Sequence, residues 1–475
     1  MTDLIKRIWI FIIVTIFTCY FINYYYASYL KREISTILTY PKTDHSNSNS
    51  SNIATRHSMT KEFTDYELVL PHCKILKLNS SDIQYPEPEE LNMRLECVPG
   101  KTVPLTYIDS GRKQEKSENE HVYSFNMRVN LTALRLYYGG DDDFKNCKYQ
   151  RILRDIKSDN PDDSITLTKS VKFKYDTTIH LNSTSFRKRN DVNQNFDIFI
   201  RVRCFHSDKS VIYQYVHTVP RESVSRYVMS QRSNNKVIEA VRKFNVLLMG
   251  IESTSNKNFE RSLLKTYEYL RRKRKKVFTF KGYAKIGENT YPNLNALLTG
   301  KFTREIPSDE HTYFDNISMI WRQYEKHGYS TIYLEDEPYW STYNFEKYGF
   351  YKSPSHFYFR PFTLELEKTM RRLSSEEYCC VYGKNEVEML LDYSKGLIQE
   401  LEESDQPYFN FNFLTRYTHS QLQGLDDVDG LLYNYFNELI ESHRLKNTFI
   451  FLFGDHGLRY GSFRHNLNGF VIFIT

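Results

Sequence analysis

Four residues in this chain have the chemistry of a metal-dependent transfer site. Glu252, Asp455 and His456 each follow an apolar run, and Thr290 begins another. Carboxylate and hydroxyl oxygens with an imidazole nitrogen make a suitable ligand set for tetrahedral zinc. A divalent cation beside a hydroxyl also makes that hydroxyl a better nucleophile. The residue types therefore predict a divalent metal, with zinc as the expected ion, held by Glu252, Thr290, Asp455 and His456.

The runs that precede the acidic residues predict where these side chains lie. Residues 245–250 and 448–453 are apolar and short, and a polar residue closes each run, which is typical of buried parallel strands. Ligands in open α/β sheets bind beyond the carboxyl ends of such strands. Taken singly, Glu252 has the ordinary explanation of a helix cap, and Asp455 that of a turn. Their common position at strand ends favours the metal site.

Thr290 is predicted to begin a helix. Pro292 follows in what would be the first turn, where proline is tolerated, and Gly300 stands where a helix commonly ends. The first N–H groups of a helix lack intrahelical partners and carry partial positive charge. Thr290 is therefore the candidate nucleophile, placed beside donors that can bind an anion.

The carboxyl-terminal half alternates between strand and helix patterns. We expect a doubly wound, mostly parallel sheet with helices on both faces, an α/β fold. The predicted strands are 245–250, 277–281, 329–334, 408–415 and 447–453. The predicted helices are 256–272, one beginning at Thr290, 316–327, 384–402 and 427–443.

At this point the motifs resemble the alkaline phosphatase/sulfatase superfamily. Sulfatases carry Cys-x-Pro-Ser-Arg before an apolar helix that ends Leu-Leu-Thr-Gly, and here Thr290-Tyr291-Pro292 and Leu297-Leu298-Thr299-Gly300 follow that pattern. Thr at the nucleophile position departs from the Cys or Ser of sulfatases, and with Glu252 it resembles the phosphoethanolamine transferases. The set is most similar to a family of animal sulfatase-like ectodomain proteins of unknown function, over roughly residues 65 to 465. That family also has motifs like Gly250–Ser253 and Asp455–Gly461.

The resemblance implies an alkaline phosphatase-like fold and a catalytic chemistry. Thr290 would attack a phosphate ester of a small molecule, a lipid or a glycan, and His419, after the strand 408–415, would contact the phosphate. His465 is a second candidate, although its spacing from Asp455 fits poorly. Two alternatives stay open, a catalytically inactive metal-binding ectodomain that recognises a glycan or a protein, and a sulfate ester hydrolase. The sequence ends within the apolar run 469–475, whereas relatives continue there with another metal-binding histidine. This difference favours the hypothesis of an inactive ectodomain. We therefore expect the carboxyl terminus to be incomplete.

The amino-terminal residues predict a membrane anchor. Residues 8–27 are nearly all apolar or aromatic, and about 20 residues suffice to cross the hydrocarbon core. We expect a cytoplasmic tail at 1–7 and a single-pass type II protein with its ectodomain outside the cell or in the secretory-pathway lumen. A cleaved signal peptide is the alternative. Residues 28–63 form a polar stalk. Sequons that favour glycosylation occur at Asn49, Asn79, Asn130, Asn182 and Asn316.

Two domains are predicted after the stalk. Residues 64–230 alternate polar and apolar, as in 123–129 and 196–202, and predict a β-rich accessory domain, while 237–475 form the α/β domain. Cys73, Cys97, Cys147 and Cys204 are an even set that permits two disulfides of unknown pairing. The run 141–143 is an acidic turn, with calcium binding as the less favoured alternative.

Composition excludes some classes of protein. Charged residues make up 26% and hydrophobic residues 40%, which suits a globular protein rather than a disordered one. The net charge of +6 is small for 475 residues, so we expect no nucleic-acid partner. The basic run 271–276 predicts a solvated loop, with a polyanion-binding patch as the alternative. Nothing in the sequence predicts the oligomeric state.

Overall fold

The computed structural model describes most of the chain beyond residue 100 and two short strands before it. The described residues are 66–70, 73–76, 103–109, 116–117, 120–121, 123–181, 196–233, 243–273, 277–306, 312–373, 381–419 and 424–459.

The amino-terminal part of the described chain is mostly antiparallel β structure. Its elements are β1 (Tyr66–Leu70), β2 (Cys73–Leu76), β3 (Thr106–Asp109), β4 (Lys116–Ser117), β5 (Glu120–His121), β6 (Tyr123–Val129), α1 (Leu131–Tyr137), β7 (Phe144–Arg154), β8 (Ile165–Leu167), β9 (Val171–Phe173), β10 (Asp176–Leu181), β11 (Phe199–His206), β12 (Val211–Thr218) and α2 (Pro220–Ser233). One sheet has the order β10-β6-β3, and a larger one has the order β12-β11-β7-β8, with β9 also paired to β7. The strand predicted at 123–129 is confirmed, whereas the one predicted at 196–202 begins only at Phe199.

A disulfide joins the two central strands of the larger sheet. Cys147 on β7 and Cys204 on β11 stand opposite each other in the register and are fully buried. One pair of the predicted cysteine set is thereby identified, and Cys97 lies outside the described residues. Disulfides are typical of oxidising compartments. The extracellular or lumenal location stays a prediction.

The carboxyl-terminal part is an α/β structure around one parallel sheet. Its elements are β13 (Asn245–Ile251), α3 (Asn256–Ser262), α4 (Leu264–Arg272), α5 (Thr290–Thr299), α6 (Ile320–Lys326), β14 (Ser330–Glu335), β15 (Phe357–Tyr358), α7 (Arg360–Leu373), α8 (Glu386–Glu403), β16 (Tyr408–Leu414), α9 (Gly424–Glu441) and β17 (Thr448–Gly454). The strand order is β15-β14-β16-β13-β17, and all neighbours are parallel. The predicted parallel sheet is confirmed.

Helices cover both faces of this sheet. Successive side chains of β13 point to opposite faces, as the pleat requires. Leu247 and Met249 belong to a core shared with α8 and α9, whereas Val246 and Leu248 belong to a second core that includes Leu294 of α5. Burial on both faces explains why the sequence of β13 is a nearly continuous run of apolar residues.

Three predicted elements differ from the structure. The strand predicted at 277–281 is wrong, since residues 277–286 have no regular structure and Phe278 is 83% exposed. Its local composition favours a strand, but the segment pairs with none of the described strands of the sheet. The helix predicted at 256–272 is interrupted at Leu263, and the helix predicted at 316–327 begins only at Ile320.

The β-rich part packs directly on the α/β part through buried polar groups. Arg201 on β11 forms an ion pair of 2.9 Å with Glu365 on α7, and both side chains are buried. The carboxylate of Asp197 accepts a hydrogen bond of 2.6 Å from the backbone N–H of Tyr358. These contacts hold the two parts of the chain in one arrangement. The predicted boundary near residues 230–237 falls mostly outside the described residues and stays a prediction.

The predicted membrane anchor is not covered by the structure. Among the described residues, every helix is too short or too polar to span a bilayer. The predicted tail at 1–7, anchor at 8–27 and stalk at 28–63 lie outside them. The type II topology therefore stays a prediction.

Candidate functional site

The register of the sheet brings the two predicted acidic ligands together. Ile251, the last residue of β13, pairs with Gly454, the last residue of β17. Glu252 and Asp455 come directly after these strands and are therefore neighbours at the carboxyl edge of the sheet. Both are almost fully buried, with 1% and 2% of their surface exposed.

The turn after β13 is shaped by the close approach of two segments of the chain. A Cβ atom on Gly454 would lie 1.8 Å from the carbonyl oxygen of Thr254, so only glycine fits at the end of β17. Ser253 has a φ of 56°, a left-handed conformation that is unusual for a residue other than glycine. This conformation lets the backbone N–H of Ser253 donate a hydrogen bond of 2.9 Å to Asp455. Backbone strain of this kind is common at functional sites.

Thr290 lies where the sequence predicts it, at the start of α5. It is the first residue of the helix, with Asn289 as the N-cap, and Gly300 ends the helix in a left-handed conformation with a φ of 71°. Its hydroxyl donates a hydrogen bond of 2.7 Å to Oε1 of Glu252. The candidate nucleophile is therefore buried and already bonded to a candidate metal ligand.

Each of the two carboxylates has one oxygen engaged and one without a donor. Oδ1 of Asp455 accepts hydrogen bonds from the backbone N–H groups of Ser253 and His456, at 2.9 and 2.8 Å. Within the described part of the chain, Oε2 of Glu252 and Oδ2 of Asp455 are buried and accept no hydrogen bond. Buried carboxylate oxygens are normally paired. Two such oxygens at one sheet edge are what a bound cation would require.

His456 presents one ring nitrogen to the same place. Its Nδ1 lies 2.8 Å from the carbonyl oxygen of Gly457, which assigns the proton to Nδ1 and leaves the lone pair on Nε2. Nε2 lies 3.3 Å from Oδ2 of Asp455 and 3.4 Å from the hydroxyl of Thr290. Burial lowers the pKa of His456, which favours the neutral form that metals bind.

We call Glu252, Asp455 and His456 the acidic site. Their candidate ligand atoms all lie within 4.8 Å of one another. Burial, followed by the charge of Asp455, raises the pKa of Glu252 well above its ordinary value. Two buried carboxylates side by side are unfavourable without a cation. The oxygen-rich set with one imidazole fits a divalent metal, and Thr290 could complete four ligands.

His419 also reaches the acidic site. It follows β16, and its Nε2 lies 3.6 Å from Oε1 of Glu252. Burial, with the positive charges of Arg459 and His456, lowers the pKa of His419 to about 4. The imidazole is therefore neutral at pH 7, and its Nε2 faces the guanidinium of Arg459, which can only donate. The second candidate histidine, His465, lies outside the described residues.

The structure places two further residues at this site to which the sequence analysis assigns no role. Arg459 donates a hydrogen bond of 2.6 Å to the side chain of Asn289 and lies 3.4 Å from Nε2 of His419. The ring of Trp340 stacks on His419, with 4.8 Å between ring centroids and 24° between planes. Arg459 falls within the motif after Asp455, so it had a sequence signal, whereas Trp340 lies in a loop with none.

A second group of buried acids lies nearby at the ends of β14 and β16. We call it the arginine cluster, and it consists of Asp336, Glu337, Glu367, Glu386 and Arg416. Arg416 pairs with Glu337 at 2.7 Å, with Glu386 at 3.4 Å and also with Glu367. Asp336 accepts hydrogen bonds from the backbone N–H groups of Thr415 and Arg416. Burial raises the pKa of Asp336 to about 7 and that of Glu386 to about 8.

Comparison with known proteins gives a family match and two distant structural likenesses. The profile of a family described as "Protein of unknown function (DUF229)" matches residues 104–471. No curated protein matches the sequence. The lipoteichoic acid synthase LtaP from Listeria monocytogenes superposes with a TM-score of 0.36 at 14% identity, covering 51% of this chain and 62% of that one. The phosphonate monoester hydrolase SpPMH from Silicibacter pomeroyi superposes with a TM-score of 0.29 at 12% identity, covering 45% of this chain and 63% of that one. The chain thus spans less than two thirds of either structure.

Proposed function

The chain belongs to DUF229, a family of unknown function, as its resemblance to such a family predicts, and we propose that it transfers or hydrolyses phosphoryl groups of an ester through Thr290. One observation carries this proposal. The Thr290 hydroxyl donates a 2.7 Å hydrogen bond to a buried carboxylate inside a set of metal-type ligands. A nucleophile bonded to a base beside a candidate cation site is the arrangement that covalent catalysis needs.

The acidic site is suited to a divalent cation, and we propose zinc. Oε2 of Glu252, Oδ2 of Asp455 and Nε2 of His456 are the atoms that would hold it. When bound, the cation would lower the pKa of the Thr290 hydroxyl and neutralise the negative charge of the transferring group.

Thr290 and Glu252 carry out the first half of the reaction. The oxygen of Thr290 forms a bond to phosphorus, its proton passes to Oε1 of Glu252, and the bond from phosphorus to the leaving oxygen breaks. Oε1 of Glu252 already accepts the hydrogen bond of this hydroxyl, which is the geometry that a base requires. The leaving oxygen is protonated from water, and a phosphothreonine is formed.

The second half regenerates the enzyme. Water, or the hydroxyl of an acceptor, attacks the phosphorus of phosphothreonine, and the bond between phosphorus and Thr290 breaks. Glu252 returns its proton to the threonine oxygen, and the proton of the attacking hydroxyl leaves to solvent. Arg459 lies beside the imidazole of His419, at the side of the site where its guanidinium can donate hydrogen bonds to phosphoryl oxygens and His419 can orient it.

The test is a comparison of two threonines on one helix. Thr290→Ala removes the nucleophile, and Thr299→Ala removes the same atoms from the far end of α5, where the hydroxyl donates to the carbonyl of Asn295 and accepts from the backbone N–H of Lys301. With zinc present, turnover of bis-p-nitrophenyl phosphate by the full chain should fall on the order of 10³-fold or more in Thr290→Ala and stay near wild type in Thr299→Ala. Mass spectrometry after acid quenching should find a p-nitrophenyl phosphoryl group on Thr290 in the wild type, because only one nitrophenolate leaves the diester in the first step.

The same assay separates the alternatives. Unchanged turnover in Thr290→Ala would contradict the assignment of the nucleophile. Turnover of p-nitrophenyl sulfate in place of the phosphate esters would support a sulfate ester hydrolase. A wild type that binds zinc and turns over none of these esters would support the inactive ectodomain.

A further inference from the structure

The loop after β14 holds an exposed aromatic ring beside the acidic site. Trp340 is 44% exposed, although its ring stacks on His419. His419 in turn lies 3.6 Å from the carboxylate of Glu252, which accepts the hydrogen bond from the Thr290 hydroxyl. A phosphate ester bound at Thr290 would therefore place its organic group close to the indole ring.

Buried polar contacts fix this loop in place. Arg360 donates hydrogen bonds of 2.6 Å to the carbonyl of Pro338 and 2.8 Å to the hydroxyl of Ser341, on either side of Trp340. The backbone N–H of Thr342 donates a hydrogen bond of 3.1 Å to Glu335 at the end of β14. An exposed ring carried on a loop with so many buried contacts is preorganised, and preorganisation is what a binding subsite requires.

The charge and polarity around Trp340 limit what it can bind. A cationic head group is disfavoured, because Arg459 lies 3.4 Å from the histidine on which Trp340 stacks. A flexible acyl chain is disfavoured relative to a ring, because the exposed neighbours of Trp340 in the same loop are the aromatic residues Tyr339 and Phe345, which present flat faces. The face of an indole ring is electron-rich and attracts weakly polarised C–H groups. An uncharged pyranose ring presents such groups and has hydroxyls for its polar surroundings.

We propose that Trp340 forms a subsite for the sugar ring of a glycosyl or sugar phosphate ester. This inference rests on the proposed function, since it assigns the organic part of the same substrate. Trp340 is thus a specificity-determining residue, while Thr290 and the acidic site act on the phosphate.

The test compares esters that share a phosphate and differ in the organic group. The full chain with zinc is assayed for phosphate release from glucose 6-phosphate, glycerol 3-phosphate and phosphoethanolamine. The wild type should have the highest kcat/KM for the sugar ester. Trp340→Ala should raise KM for that ester about 10-fold with little change in kcat, which is the size of one aromatic contact, and should leave KM for the other two esters within about twofold. Trp340→Phe should recover part of the loss.

A matched variant and a binding measurement complete the test. Tyr351 is similarly exposed, and its ring packs on Tyr313 rather than on His419, so Tyr351→Ala should leave all three KM values unchanged. In Thr290→Ala, titration with glucose 6-phosphate should quench tryptophan fluorescence, and the quench should disappear when Trp340→Phe is added.

The outcomes keep the two proposals apart. Equal losses for all three esters in Trp340→Ala, or a preference for phosphoethanolamine, would overturn the sugar subsite while leaving phosphoryl transfer intact. No turnover of any ester by the wild type would overturn the proposed function. A fluorescence quench that depends on Trp340 would then still support a sugar phosphate subsite, and its absence would overturn that as well.

Discussion

Two groups of buried acids lie at the carboxyl edge of one parallel sheet, and they differ in what balances their charge. The arginine cluster contains a guanidinium that pairs with three of its four carboxylates. For Glu252 and Asp455, the ion-pair contacts found within 4 Å are to His419 and His456, and the pKa of each imidazole is lowered. The charge of Arg459 also acts on Glu252, yet the pKa of Glu252 remains well above its ordinary value.

The difference separates a group of acids that is balanced within the protein from a group that requires a bound cation. Buried charges persist in proteins when they are paired or coordinate a metal. The arginine cluster carries its own cation, and we infer that it holds the ends of β14 and β16 together. The acidic site has two carboxylate oxygens without donors in the described chain, so its cation has to come from outside. That contrast is the main physical reason to assign the metal to Glu252, Asp455 and His456.

The largest expected effect comes from removing the cation of the arginine cluster. Arg416→Met leaves Glu337, Glu367 and Glu386 buried without a cation, which should lower the free energy of unfolding by about 3–5 kcal/mol. Urea unfolding of the full chain measures this loss. The matched control is Arg271→Met, which breaks an exposed ion pair with Glu268 and should leave the free energy of unfolding near the wild-type value. Equal losses in the two variants would show that the cluster does not depend on its arginine.

A smaller effect should appear in the pH dependence of stability. One guanidinium cannot balance four carboxylates, and burial raises the pKa of Glu386 from 4.5 to about 8. Between these values the folded state keeps a proton that the unfolded state has lost, so this contribution is complete below about pH 4.5 and disappears as pH rises through about 8. We expect Glu386 to account for a loss of up to about 3 kcal/mol between pH 5 and 8.

The control for this pH effect is a variant that cannot titrate. Glu386→Gln keeps the shape and the neutral form of the side chain, so thermal unfolding between pH 5 and 8 should show a flatter decline than in the wild type. An identical slope in both proteins would mean that Glu386 is already ionised in the folded state at pH 5.

The smallest effect distinguishes a carboxylate that has a partner from one that lacks it. In chelator, Glu252→Gln should raise the free energy of unfolding by about 1 kcal/mol, because it removes a buried carboxyl that must either stay charged without a cation or take up a proton on folding. The matched variant Glu365→Gln should lower it, because Glu365 is buried against Arg201. Thermal unfolding with EDTA compares the two. A loss of stability in Glu252→Gln would indicate that Glu252 is already compensated within the protein.

The position of Glu252 and Asp455 at one sheet edge is predictable from the sequence because its signals are local. An apolar run closed by a polar residue indicates a buried strand, and parallel strands bring such residues to one edge, so Glu252 and Asp455 are found without a structure. The start and end of α5 follow from Thr290, Pro292 and Gly300 in the same way.

Other features depend on contacts between distant segments. The residues of the arginine cluster come from two loops and two helices, and no spacing in the chain indicates that Arg416 reaches Glu337 and Glu386. The stacking of Trp340 on His419 depends on how a loop is held by Arg360. The strand predicted at 277–281 fails for the related reason that local composition cannot show whether a segment pairs with the sheet.

The most direct test of the account is the zinc content of the full chain after dialysis, measured by elemental analysis. The wild type should retain about one zinc per chain. Asp455→Asn should retain less than about 0.1, because it removes a charged ligand, whereas Glu365→Gln, a buried acid outside the site, should retain the wild-type amount. Equal zinc in the wild type and Asp455→Asn would contradict the assignment of the metal to the acidic site.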